Sequence, residues 1–202
     1  VFWRRKKSTE QSADPRNLTQ WWLTKFSEEE RVHIETKLIG FVAYSFANTL
    51  AKYDKESSHE GTFRSLSFLS MHFERKDRVP LGLKILEKAK DFEASVIDWH
   101  FYYSHYIELR YKQRDDDPRA LDDVIEACQK MIALSPDVIS AWQQEDLERR
   151  VRSVEMWGKD ETGNPLGLPG HKGYKQLIII RKKQKDVAEA KRLELEYAEV
   201  WK

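Results

Sequence analysis

The sequence predicts an all-α fold made of antiparallel helix pairs, and three observations carry that reading. The 202 residues hold only eight glycines and six prolines, the two residues that interrupt helix interiors. Charged residues reach 34% and apolar ones 40%, a mixture that suits many exposed helix faces better than a dense α/β core. Apolar residues recur at helical spacing in segment after segment, and no stretch alternates with the period of two that marks a strand.

The elements follow in order. Residues 1–13 read as a flexible basic tail, with Arg4, Arg5, Lys6 and Lys7 behind Phe2 and Trp3. Asp14-Pro15 has the composition of a helix start, a side-chain acceptor followed by a proline whose missing N–H costs nothing in the first turn. Ser27-Glu28-Glu29-Glu30 spells a capping box, in which Ser27 and Glu30 satisfy each other's free backbone N–H groups. Ile34 and Leu38 continue the helix, and Gly40 divides it from a following run to Leu50.

Beyond residue 60, Phe63, Leu66, Leu69 and Phe73 mark a helix over about 61–76, and Leu81, Ile85 and Ala89 its partner over about 79–93. Val96 to Gln113 is thick with aromatics on several sides, the pattern of a helix buried between neighbours. Asp117-Pro118 reads as a second cap-plus-proline start, and Val138 to about Trp157 as a further helix. Residues 158–173 hold five of the glycines and two prolines, a long loop. Tyr174 to Trp201 makes two helices meeting near Lys185-Asp186. A single domain over 14–202 is expected, with 14–60 as N-terminal capping helices and 61–201 as repeating pairs.

The repeat shows in the turns. "ERKD" ends at Asp77, "KQRD" at Asp115 and "KQKD" at Asp186. The first step is 38 residues and the second 71, about twice 35. Pro136 follows one helix, and Trp142 stands six residues later. "YKQLIIIRKKQKDVAEAKRLELEYA" reads as a whole pair, with Ala190 where two helix axes approach closely. In period and in these positions the chain resembles tetratricopeptide repeats. The departures are Val124 and Met131 at positions where small residues are usual, an inserted "DDPRA", and a poor fit over 143–173.

The resemblance implies a short right-handed superhelix whose first helices line a concave face holding a peptide or partner helix. Carrying the register over the two later turns implies Glu108, Tyr111 and Lys112 on that face, joined by Lys175, Lys182 and Lys183. The expected function is therefore a non-enzymatic interaction module or scaffold. The alternative is a nucleic-acid-binding repeat protein using the basic runs at 4–7 and 181–185. Thirty-five Lys plus Arg against 34 Asp plus Glu gives no long-range pull toward nucleic acid or anionic lipid.

Catalytic and metal chemistry find little foothold. Six histidines are scattered without the i, i+4 pairing of a zinc helix. Glu29 and His33 share a face, but read as an exposed charge pair. Cys128, the single cysteine, falls on a packing face and reads as an inert thiol in a reducing compartment. Asp115, Asp116 and Asp117 lack the alternating oxygen ligands of a calcium loop. "GNPLGLPG" lacks the Lys-Ser/Thr pair of a phosphate loop, so no cofactor is expected. No run approaches the roughly 18 apolar residues of a membrane span. The expectation is a cytoplasmic protein with a protein or peptide partner, and homodimerisation through an unstacked end is compatible with it.

Overall fold

The computed structural model describes residues 17–37, 61–160 and 162–201. Expectations for the basic tail, the Asp14-Pro15 start and the Gly40 break lie outside the described residues. The chain divides into two compact units, Val1–Glu60 and Gly61–Lys202.

In the first unit, α1 (Leu18–Lys25) begins where Asn17 Oδ1 accepts the Gln20 N–H at 2.7 Å. The predicted capping box opens α2 (Glu28–Lys37): Ser27 N–H donates to Glu30 Oε2 at 2.9 Å, and Glu30 N–H to Ser27 Oγ at 3.1 Å. Arg31 turns back and donates to the Leu23 and Phe26 carbonyls, a cation at the negative end of α1. Trp22 and Phe26 are buried with ring centroids 4.9 Å apart.

The second unit holds α3 (Thr62–Ser70), a 3₁₀ turn (Met71–Phe73), α4 (Val79–Ala89), α5 (Val96–Tyr111), α6 (Ala120–Ala133), α7 (Ser135–Trp157), α8 (Lys172–Lys183) and α9 (Val187–Val200). No strand occurs among the described residues. The fold is all-α. Three hairpins form, α3/α4, α5/α6 and α8/α9, and each later first helix packs on both helices of the pair before it: α5 on α3 and α4, α8 on α5 and α6. The predicted turns at 74–77, 112–115 and 183–186 fall between hairpin arms or at their ends.

Their spacing reappears as packing register. Ser67 meets His105 and Glu74 meets Lys112, each pair 38 residues apart; Tyr111 meets Lys183, 72 apart. Close approach needs small residues. A Cβ on Gly82 of α4 would stand 2.8 Å from Leu109 Cδ1 and 3.0 Å from the Ser70 carbonyl oxygen. One on Gly173 of α8 would stand 3.0 Å from the Cys128 carbonyl oxygen. Val124, Cys128 and Met131 of α6 are fully buried against Ile107, Tyr174 and Leu177, so the larger residues at 124 and 131 fill the seam with α8.

Two helix starts differ from the sequence reading. Asp117 does not cap a helix beginning at Pro118. Its Oδ1 accepts the Arg119 N–H and its Oδ2 takes Arg110, and α6 begins at Ala120. The buried Arg110 guanidinium, shared with Asp123 and Gln113, competes for the carboxylate. The helix expected from Val138 starts instead at Ser135, with Pro136 in its first turn and only Leu134 separating it from α6.

That start changes the role of α7. Although it carries Pro136 in its first turn, it is not the first helix of the next pair; α8 is. α7 lies across α5, with Val138 buried and Trp142 set 6.4 Å from Phe101. It ends at Gly158 (φ 72°), whose N–H donates to the Val154 carbonyl, the left-handed stop that glycine adopts without a Cβ clash. The loop after it is tied down along its length. Arg149 donates to the Thr162 and Asn164 carbonyls, Leu166 N–H to Asp146, and the Trp142 indole to Gly167. The Trp201 indole donates to Pro169.

α8 ends in a Schellman turn. Asp186 N–H reaches the Arg181 carbonyl at 2.9 Å, and Lys185 occupies the left-handed position at φ 63°, where glycine is usual. Lys185→Gly is therefore expected to stabilise the protein by about 0.5–1 kcal/mol, because the Cβ clash outweighs the entropy glycine loses. A lowered denaturation midpoint would contradict it.

Candidate functional site

The sequence-predicted residues Glu108, Tyr111, Lys112 and Lys183 meet on one face of the first helices. At 100° per residue, Phe101, Glu108 and Lys112 share one side of α5. Lys112 Nζ lies 3.2 Å from Glu74 Oε2, just beyond the 3₁₀ turn that follows α3, and 4.0 Å from Glu108. Glu108 in turn lies 2.8 Å from Lys172 Nζ on α8. The row Glu74–Lys112–Glu108–Lys172 thus alternates in sign and links three successive helix pairs. The Lys172 contact comes first among the causes that hold the Glu108 carboxyl below its usual range. All four side chains are partly exposed, so each pair adds at most about 1 kcal/mol.

Tyr111 stands beside the row as a cation-binding ring. Lys183 Nζ donates to its hydroxyl at 3.0 Å and lies 5.6 Å from the ring centre, while the Arg114 guanidinium lies 4.5 Å from it. Lys182 turns away and pairs with Glu194 of its own hairpin partner α9. Lys175 is exposed on α8, three residues from Lys172. The structure therefore brings Glu108, Tyr111, Lys112 and Lys183 near one another, while Lys182 pairs within its own hairpin. Within the basic run 181–185, Arg181 binds Gln184, Lys182 binds Glu194 and Lys183 binds Tyr111. The run at 4–7 lies outside the described residues.

Sequence reading missed the aromatic part of the same face. Phe68 of α3, Phe101 of α5 and Trp142 of α7 form a row, with centroids 5.8 and 6.4 Å apart. Phe68 is 44% exposed, and Met71 one turn on is 40% exposed. Glu74 and Lys172 were also missed. The signal for Glu74 was present, since it opens the "ERKD" turn 38 residues before Lys112. No local signal could reveal Trp142 against Phe101, because α7 is inserted between two pairs.

A second constellation lies inside. His100 and His171 are fully buried, with His100 stacked on Trp201 at 5.4 Å and His171 edge-on to it at 4.6 Å. Ser135 Oγ lies 3.0 Å from His171 Nε2, the separation of a nucleophile and its base. The roles do not fit that chemistry. His171 Nδ1 accepts the Tyr174 N–H at 3.3 Å, so Nε2 carries the proton and donates to Ser135. Burial, with the neighbouring His100, pushes His171 down to about 3. The pair caps α8 and joins it to the start of α7. Cys128 is fully buried, and desolvation pushes its thiol up to about 12, far from the thiolate a nucleophile needs. Among the described residues, no group of three or more His, Cys, Asp or Glu side chains could hold a metal ion, and no helix is long and apolar enough to cross a membrane.

Comparison of this chain with family models, curated proteins and solved structures finds no match in any of the three.

Proposed function

We propose that the chain is a non-enzymatic protein-interaction module of tetratricopeptide-like build, which holds an amphipathic segment of a partner across its first helices. One observation carries this reading: a charge row of alternating sign runs across three helix pairs beside an exposed aromatic row. Apolar side chains of the partner pack on Phe68, Phe101 and Met71. Its charges, in the reverse order, replace the internal pairs at Lys112 and Glu108. Aromatic anchors supply most of the affinity in such contacts, and rim charges set orientation and rate. The stripe Leu147, Val151 and Val154 on α7, about half exposed at i, i+4 and i+7, supports the same reading, since exposed apolar stripes mark contact surfaces.

The test is site-specific photocrosslinking in the native cell, with the crosslinker at position 68 and, as a control, at position 185. A partner adduct at 68 that is absent at 185 is expected. It should fall at least about tenfold in Lys112→Glu, in keeping with about 1.4 kcal/mol for a desolvated contact. Equal adducts at both positions, or a yield indifferent to Lys112→Glu, would overturn the reading. Phe68 and Lys112 reach the surface, so these substitutions leave the core intact; circular dichroism checks that they do.

A further inference from the structure

The other side of α5 carries a pocket that the proposed function does not use. Tyr106 and Glu108 are two residues apart and point about 160° away from each other on the helix. Around Tyr106, the residues Trp99, Tyr102, Tyr103 and Tyr106 stand at i, i+3, i+4 and i+7 and floor a cavity of about 220 Å³. Its walls are α4, through Glu87 and Lys90, and α6, through Asp123, Glu126 and Lys130. Ala127 leaves the notch: it is the small residue between Asp123 and Lys130 on the wall of α6.

The rings are already set as a box. Trp99 and Tyr102 meet edge-on at 5.1 Å, Tyr102 and Tyr103 at 5.5 Å and 86°, and Tyr102 and Tyr106 stack at 6.2 Å and 11°. Phe63 of α3 braces the box from behind, 4.8 Å from Trp99. A rigid box has little ordering left to lose when a ligand enters.

The rings set the sign of the ligand. Three carboxylates and two ammonium groups line the pocket; Lys90 pairs with Glu87, Lys130 with Glu126 and Asp123 with Arg110, so the rim is balanced in charge. Burial, and after it the Asp123, Glu87 and Glu126 charges, hold the Tyr106 hydroxyl above its ordinary range against the opposing pull of Arg110. Aromatic faces attract cations, and best those that shed water easily. A bare ammonium entering the box would turn its N–H donors onto ring faces and lose hydrogen bonds. A methylated one has no such donors to lose. Tyr111 of the same helix, between Arg114 and Lys183, shows tyrosine rings of this chain in that use.

We infer that the aromatic pocket between α4, α5 and α6 binds a trimethylammonium group. The site is independent of the first-helix face, so either assignment can fail alone. Choline, a trimethyl-lysine amide and the neutral isostere of choline, 3,3-dimethyl-1-butanol, are titrated into the full chain. The readout is the Trp99 indole N–H resonance, assigned with Trp99→Phe. Saturable shifts are expected for the two cations, the tighter of which identifies the natural carrier. The neutral isostere should bind about 10-fold more weakly, which corresponds to about 1.4 kcal/mol. Glu126→Lys and Tyr103→Leu, each retaining the helical spectrum, should weaken the cations at least about fivefold. Equal binding of the isostere would make the pocket merely apolar and overturn the inference. So would an unmoved Trp99 resonance, or cation shifts that both variants leave unchanged.

Discussion

Trp201→Ala is expected to cost the second unit about 3 kcal/mol and to free the loop that follows α7. The indole is 7% exposed and sits where α5, the start of α8 and the loop before it meet. Its ring stacks on His100 of α5 at 5.4 Å and meets His171, the cap of α8, at 4.6 Å, while its N–H donates to the Pro169 carbonyl at 2.7 Å. Alanine leaves a cavity beside two neutral histidines and strips one loop carbonyl of its donor. Trp201→Phe keeps most of the packing and loses the hydrogen bond, so about 1 kcal/mol is expected. Denaturant unfolding followed by circular dichroism gives both values. Limited proteolysis should cut Trp201→Ala within 158–171 well before the parent protein. An unchanged midpoint together with an uncut loop would show that Trp201 does not hold these elements.

The second large effect is acid lability. His171 titrates near 6.5 in the unfolded chain and near about 3 when folded, because burial and the adjacent His100 disfavour its charged form. His100 and His105 are lowered in the same direction, chiefly by burial. Between these values the unfolded chain binds more protons than the folded one. Stability is therefore full above about pH 6.5 and falls as pH drops toward 3. At about pH 5, His171 alone accounts for roughly 2 kcal/mol of the loss. Asp98 and Glu108, whose carboxyls are lowered, add a further loss only below the ordinary carboxylate range. His171→Asn keeps an acceptor for the Tyr174 N–H and removes the titration. It should be less stable than the parent at neutral pH yet lose less between pH 7 and 5. A parallel pH profile for parent and variant would refute the assignment.

Much of the fold was legible because helix signals are local. The Ser27 capping box, the three charged turns and the break near Lys185-Asp186 each stand where the residues indicated. The 38-residue step between turns became the register of Ser67 on His105 and Glu74 on Lys112. The contacts of Lys112 with Glu108 and of Lys183 with Tyr111 lie on the same set of first helices. Lys182 pairs instead with Glu194, since angular offsets along α8 carry a side chain from one neighbour to another.

The failures share a cause. Asp117 next to a proline has the composition of a helix cap, yet Arg110 from the preceding helix takes its carboxylate. Pro136 and Trp142 have the spacing of the next repeat, yet Trp142 binds Phe101 and Gly167. In each case a residue with a clear local preference met a partner that only the folded chain supplies.

The amino-acid sequence by itself determined that this protein is built of helices, where most of them turn, and which residues recur at a common step. Periodicity and caps act within a few residues and need no distant partner. Only the tertiary structure decided that α7 and its loop pack on α5, that His100 and His171 share one tryptophan, and that four aromatic rings floor a pocket. Those arrangements depend on which helix faces meet. That choice is set by packing between segments tens of residues apart, for which no local pattern carries the information.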